Sequence, residues 1–398
     1  MSAEVTIDWE PHPKQRQVIE SDARFRVLNW GRRTGKNEVA IIETIRYALE
    51  NSGATVWWVA PTYSQANDYG FDRMVSMLPD ALVRGEPKLT SPREIELIND
   101  TTISFKSAEK PENLKGAGVD YISADEAASW PGIVWYEYVR PTLTDTLGGG
   151  MVFSTPKGKD WFYELSLRGQ DDSDASVYYS HATSYDNPHV PDSEIDEQKE
   201  NMPSHIFEQE YLAEFSEDGG EVFPEIPTED YALEDKQGFG PYRIGVDYAR
   251  VHDYTVITVL DSDGYVVALE RVNQTSWHAI QQLIENTYEL YSPATVQVDA
   301  TRDNKITEDL NAAGIPVEPV NFSASKNEMV EDTAVMMESG EITIPKSAST
   351  LRSELSSFGY NLTSHGNVQY GAEGGGHDDT VDSLCLAATA PEPVSATW

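Results

Sequence analysis

The stretch Phe25-Arg26-Val27-Leu28-Asn29-Trp30-Gly31-Arg32-Arg33-Thr34-Gly35-Lys36-Asn37 decides how the first half of this chain is read. Phe25–Trp30 has the composition of a strand. Glu38–Glu50 reads as a helix, with Val39, Ile42, Ile45, Ala48 and Leu49 near one face. A glycine-bearing loop between strand and helix is the setting of a phosphate loop. Glycines let backbone N–H groups approach phosphate oxygens, and the helix N-terminus favours an anion. Lys36 would then reach the β- and γ-phosphates. Two positions depart from the general pattern. Trp30 stands where a glycine is usual, and Asn37 stands where Ser or Thr would hold Mg²⁺. Taken alone, the loop could equally be a basic surface turn.

Further along, Thr55–Ala60, Thr101–Lys106, Val119–Ala124 and Met151–Ser154 read as short strands, with a helix over Ser64–Leu78. This alternation predicts an α/β fold with a parallel sheet. Tyr121-Ile122-Ser123-Ala124-Asp125-Glu126 is a strand ending in two acids, at the edge where a parallel sheet places its ligands. In a nucleotidase, Asp125 would help hold Mg²⁺ and Glu126 would activate the attacking water. An acidic helix cap is the plainer alternative. Both motifs together, in order, favour a P-loop NTPase.

Residues 217–241 are rich in Gly, Pro and acids and read as a linker or hinge between a domain over 1–216 and another over 242–398. Beyond it, Tyr242–Asp247, Thr255–Asp261 and Tyr265–Val272 read as three strands joined by short turns. Helix Ser276–Tyr291, strand Thr295–Ala300, helix Lys305–Ala313, strand Val317–Phe322 and helices over Lys326–Ser339 and Asp379–Ala390 follow. The order is ribonuclease H-like, with a mixed sheet. Asp247 and Asp299 each close an apolar strand, and Asp378 and Asp379 open the last helix. Separated acids meeting at one sheet edge can hold two Mg²⁺ or Mn²⁺ ions ~3.5–4 Å apart. Placing Asp378 on the wheel of that helix favours it over Asp379 as a direct ligand, with Asp382 behind them. Asp253 is a further metal candidate, and Cys385 reads as core. Solvated surface acids are the alternative for each, because this chain is rich in them.

The chain has 398 residues, 67 acidic and 29 basic, for a formal charge of -38. The excess is spread out, net -23 over 1–240 and net -15 over 241–398. A generally basic nucleic-acid binder is excluded, so any contact with DNA must use local patches. The single cysteine excludes an intramolecular disulfide framework or a Cys-clustered metal site. Met1–Glu10 lacks the basic start and apolar core of an export signal, and no apolar run reaches the about 18 residues of a membrane span. A soluble, intracellular protein is expected.

The ordered motifs resemble the large terminase subunit of tailed double-stranded DNA viruses, over roughly residues 12–390. Gly31–Lys36 resembles that family's variant phosphate loop, which accommodates Trp30. His12-Pro13-Lys14-Gln15 resembles its adenine-reading motif, and Ala60–Ala66, Lys115-Gly116, Arg140-Pro141 and Phe153–Gly158 resemble its other motor segments. Gly-Val-Asp at Asp247, Asp299, and His377-Asp378-Asp379 through Leu384 resemble its nuclease landmarks; Glu221-Val222-Phe223 resembles its junction.

The resemblance implies an ATPase that drives double-stranded DNA into a procapsid, joined to a metal endonuclease that cuts concatemers. It implies ATP contacts from Gln15, Gly31, Arg32, Arg33, Thr34, Gly35, Lys36, Asn37, Asp125, Ser154 and Thr155. Arg32 would be a finger acting in its own subunit, and Arg140 a candidate finger for a neighbour. Implied partners are a portal protein, a small terminase subunit and copies in a ring, with a pentamer expected, in the host cytoplasm. No membrane is implied. Arg243, Arg250, Arg302 and Lys305 are the candidate DNA phosphate contacts near the nuclease acids. A helicase-like or repair ATPase–nuclease and a non-enzymatic P-loop scaffold remain the alternatives.

Dispersed acidity fits a cytoplasm of concentrated salt, where self-repulsion is screened within ~3 Å at 1 M. The melting midpoint is expected to rise as KCl is raised towards molar. A midpoint that falls with salt removes the halophilic reading.

Overall fold

In the computed structural model, residues 9–391 are described, except 117, 172, 216–220, 234–238, 249–253, 274, 293, 302–304, 363–367 and 373–375. The chain divides into two compact units. The first is built from residues up to 198 together with 206–218, and the second mainly from 219–361 and 368–398.

The first unit is organised on strands β1 (Phe25–Trp30), β2 (Thr55–Ala60), β3 (Arg93–Glu96), β4 (Thr102–Ser107), β5 (Tyr121–Asp125), β6 (Gly149–Ser154) and β7 (Val177–Ala182). They lie in the order β3-β4-β2-β5-β6-β1-β7. Every pairing is parallel except β3 with β4. Both faces are buried, which explains the unbroken apolar runs. In β2, Val56, Trp58 and Ala60 enter one core, and Trp57 and Val59 enter the other. The expected helix over Ser64–Leu78 is composite: Tyr63–Gln65, a π-helical segment Ala66–Phe71, then Asp72–Met77. Helical periodicity does not report the extra residue per turn that the π segment carries.

In the second unit, β8 (Thr228–Glu229) comes first in the chain. It is followed by β9 (Tyr242–Asp247), β10 (Tyr254–Leu260), β11 (Val266–Asn273), β12 (Ala294–Asp299) and β13 (Val317–Val320). The sheet runs β11-β10-β9-β12-β13, antiparallel on the β10 side and parallel on the β12 side. This is the mixed sheet expected. Helix Asp379–Ala388 lies across it. Gly245 permits that approach: a Cβ there would stand 2.2 Å from the Ser383 carbonyl oxygen and 2.4 Å from the Ala387 nitrogen. Ser383 Oγ donates within reach of the Gly245 and Val256 carbonyls, at 3.0 and 3.2 Å.

The linker reading needs correction where residues are described. Val222 and Phe223 are buried in the second unit's core, and β8 pairs in parallel with Ile344–Pro345. Two apolar side chains outweigh the Gly and Pro around them. Residues 217–220 and 234–238 lie outside the described residues. Among the described residues, no helix is long and apolar enough to cross a membrane.

Replacing Gly245 by Ala should wedge the last helix off β9. Overpacking of this kind costs about 1–3 kcal/mol. Thermal unfolding of Gly245→Ala should show a lowered midpoint, and an unchanged midpoint would contradict the packing described.

Candidate functional site

The parallel strands of the first unit end along one edge, and the residues just past those ends line a cavity of about 1320 Å³. Pro61 and Thr62 follow β2, Ala108 and Glu109 follow β4, Glu126 follows β5, and Thr155 follows β6; all line it. Arg32, Arg33, Lys36 and Asn37 come from the loop after β1. Gly35 caps helix Lys36–Glu50 with φ 82°, the left-handed region that favours glycine, and a Cβ there would meet Gln15 Nε2 at 2.6 Å. The loop is braced from beneath. His12 Nε2 lies 2.9 Å from the Thr34 carbonyl, Gln15 Nε2 donates to the Gly35 carbonyl at 3.0 Å, and Thr34 Oγ1 donates to the Gly31 carbonyl at 2.8 Å.

Side chains at and just past the ends of β5 and β6 meet Lys36 from the helix after β1. Lys36 Nζ donates to Thr155 Oγ1 at 3.0 Å and lies 3.6 Å from Glu126 Oε1. Ser154 Oγ lies 3.2 Å from Glu126 Oε2 and is itself fully buried. Glu126 has φ 45° and ψ 48°, a strained geometry for a non-glycine residue that turns its side chain out at the strand end. Asn37 Nδ2 donates to Asp125 Oδ1 at 3.2 Å. Asp125 Oδ2 is buried with no hydrogen-bond partner, and burial, then the charge of Glu126, pushes this carboxyl well above the usual range. A buried carboxylate left open in this way fits a cation. Its neighbour Asn37 stands where a ligand for that ion is expected.

Two expected contact residues are held by protein partners in this structure. Gln15 Oε1 accepts from the His12 N–H at 3.0 Å and its Nε2 donates to the Gly35 carbonyl, so it braces the loop. Arg32 Nε donates to Glu210 Oε2 at 2.5 Å, and Lys157 Nζ lies 3.6 Å from Glu210 Oε1. Glu210, some 178 residues from Arg32, has no local sequence signal. Arg140 stacks on Phe25 at 5.4 Å, at the start of β1 and away from the loop that follows its other end.

In the second unit, Asp247 and Asp299 are the last residues of adjacent parallel strands, one step beyond the Val246–Val298 pair. Asp378 and Asp379 begin the helix that crosses them. The Asp247 carboxyl is raised well above its ordinary value, first by burial and then by Asp382, Asp379, Asp299 and Asp378. Asp299, Asp378, Asp379 and Asp382 are therefore near enough to Asp247 to disfavour its charge. Their donor chemistry, carboxylate oxygen throughout, suits a hard divalent cation. Among the described residues, no three such groups are already drawn together closely enough to hold an ion.

Asp379 is the more buried of the helix pair, its side chain 7% exposed against 30% for Asp378. Both remain at the centre, and burial alone does not single out Asp378. Asp378 is the cap, with φ -126°, so a helical wheel does not apply to it. Arg243 donates to the Ala388 carbonyl at 2.7 Å from the opposite end of β9 and is not beside Asp247. Lys305 begins helix Lys305–Ala312, while Asp253, Arg250 and Arg302 lie outside the described residues. Among the described residues, Lys326 and Arg271 stand at the acids, and the sequence reading misses both. Lys326 Nζ is 2.9 Å from Asp378 Oδ2 and 2.9 Å from Asp382 Oδ1. Arg271 stacks on Tyr254 and lies 3.3 Å from Glu354 and 3.9 Å from Asp379.

Residues 27–228 match the family described as terminase large subunit, T4likevirus-type, N-terminal, and residues 244–390 match the terminase RNaseH-like domain. The terminase large subunit of Thermus virus P23-45 is 33% identical over 428 residues, covering 96% of this chain and 87% of that protein. That of Escherichia phage T5 is 29% identical, covering 70% and 66%. A large terminase from a thermophilic bacteriophage is similar in fold, with a TM-score of 0.56 at 14% identity over 96% of this chain and 99% of that one. Two domain matches in the expected order, and a relative a third identical over nearly the whole chain, make this protein a member of the terminase large-subunit family.

Proposed function

We propose that the chain is the motor and nuclease of a viral DNA-packaging machine. In this reading, ATP hydrolysis in the first unit moves double-stranded DNA into a procapsid, and the second unit cuts concatemeric DNA. The observation that carries it is the pairing of Lys36, Glu126 and Thr155 on one cavity edge with the gathering of five aspartates at the other unit's sheet edge.

In the first unit, amides of the Gly31–Lys36 loop and the Lys36 ammonium would bind the phosphates. Lys36 would exchange Thr155 and Glu126 for phosphate oxygens. Glu126, freed of that contact, would take a proton from the attacking water. Arg32 would leave Glu210 to stabilise charge on the transferred group. Asp125 and Asn37 would hold Mg²⁺, which when bound neutralises phosphate charge. In the second unit, Asp247, Asp299 and Asp379, with Asp378, would hold divalent ions, which when bound activate water and stabilise the leaving 3′ oxygen. The side chains orient those ions and confine the water between strand ends. A ring of copies on a portal, with a small subunit selecting DNA, is the setting the family implies.

Two experiments test this. Glu126→Ala should bind ATP yet lose turnover, while Asp299→Ala should lose plasmid cleavage and keep the ATPase. Loss of both activities from both folded variants would contradict separate sites. Asp125→Asn should fold as well as the parent, since burial first and Glu126 second already disfavour a charge there and the amide oxygen can still accept from Asn37, and it should lose the tightening of ATP binding by Mg²⁺. Unchanged Mg²⁺ dependence would remove Asp125 from the ion's shell.

A further inference from the structure

Lys326 is the one cation of the chain between Lys305 and Lys346. It projects from helix Phe322–Glu338 into the carboxylate centre with its side chain 21% exposed. Its ammonium donates to Asp378 Oδ2 at 2.9 Å and to Asp382 Oδ2 at 3.0 Å, the distances of charge-assisted hydrogen bonds. The rings of Phe322 and Phe358 lie 5.6 and 5.5 Å from it, so the pair is partly walled from water. Arg271 answers Asp379 from another side. Among the described residues, Asp247 and Asp299 have no ion pair. Among the described residues, these five carboxylates are met by Lys326, Arg271 and the His377 ring, which lies 3.5 Å from Asp379.

An ammonium in this place has a consequence for any divalent ion. Asp378 Oδ2 cannot fully serve both, and two cations brought together in partly desolvated surroundings repel. We propose that Lys326 is a built-in counter-ion of the nuclease centre. It positions Asp378 and Asp382 when the centre holds no divalent ion, and it weakens divalent binding by competing for Asp378. This rests on the metal-nuclease reading above. An ordinary salt bridge between two helices makes the opposite prediction for metal, because loosening Asp378 would lower affinity or leave it unchanged.

The test uses the full chain carrying Asp125→Asn, so that the nucleotide site takes no ion. Mn²⁺ binding is measured by calorimetry, and melting midpoints are measured in EDTA and in Mn²⁺. Lys326→Met should melt lower in EDTA, because two half-buried carboxylates lose their partner. It should bind Mn²⁺ about tenfold tighter and gain a larger midpoint rise from Mn²⁺ than the parent. Lys326→Arg, which keeps the charge, should resemble the parent. Lys326→Gln should give the same signs as Lys326→Met if the latter does not fold. Equal or weaker Mn²⁺ binding by the folded variants overturns the proposal while leaving the nuclease reading intact. If the parent binds no more Mn²⁺ than Asp247→Asn does, the nuclease reading fails and this inference falls with it.

Discussion

Buried and half-buried carboxylates at strand ends with too little positive charge beside them are the constraint on which both units turn. Asp125 ends one strand of the first sheet with Glu126 just past it, and Asp247 and Asp299 end adjacent strands of the second. A parallel sheet buries the apolar body of each strand and leaves its last residue at a water-facing edge. An acid there is half desolvated, and its neighbours on the next strands are close enough to repel it. Such an arrangement persists only if something compensates. In the first unit, Lys36 and Asn37 supply part of the balance, and in the second, Lys326 and Arg271 do. What they leave uncompensated is the chemistry a phosphate-bound or hydrolytic cation would meet.

The sequence is most informative where function forces a residue type onto a regular element. The glycine-bearing loop Gly31–Lys36, the acidic end of β5 and the acids Asp247, Asp299, Asp378 and Asp379 stand out because each sits at a boundary between a periodic segment and a turn. The order of elements along both halves follows from the same alternation. Less is legible where a long-range partner decides the role. Gln15 reads as a ligand contact, and its position beneath Gly35 depends on a fold that no local pattern encodes. Glu210 and Lys326 resemble ordinary helical surface residues; only tertiary packing brings them to Arg32 and Asp378.

Two departures have a common cause, a regular periodicity extended beyond the regular element. Asp378 does not belong on a wheel because it precedes the helix, and Ser64–Leu78 is not uniform because its middle is π-helical. The linker reading fails differently. Composition weighs the glycines and prolines of 217–241 above Val222 and Phe223, yet burying two large apolar groups outweighs the flexibility of the residues around them.

Two separate cation-accepting centres in one chain can be sought directly by anomalous diffraction, from crystals grown with a non-hydrolysable ATP analogue and soaked in Mn²⁺. The predicted result is manganese beside Asp125 and the analogue's phosphates, and manganese again among Asp247, Asp299 and Asp379. Ordered analogue with no anomalous signal at either carboxylate group would contradict it.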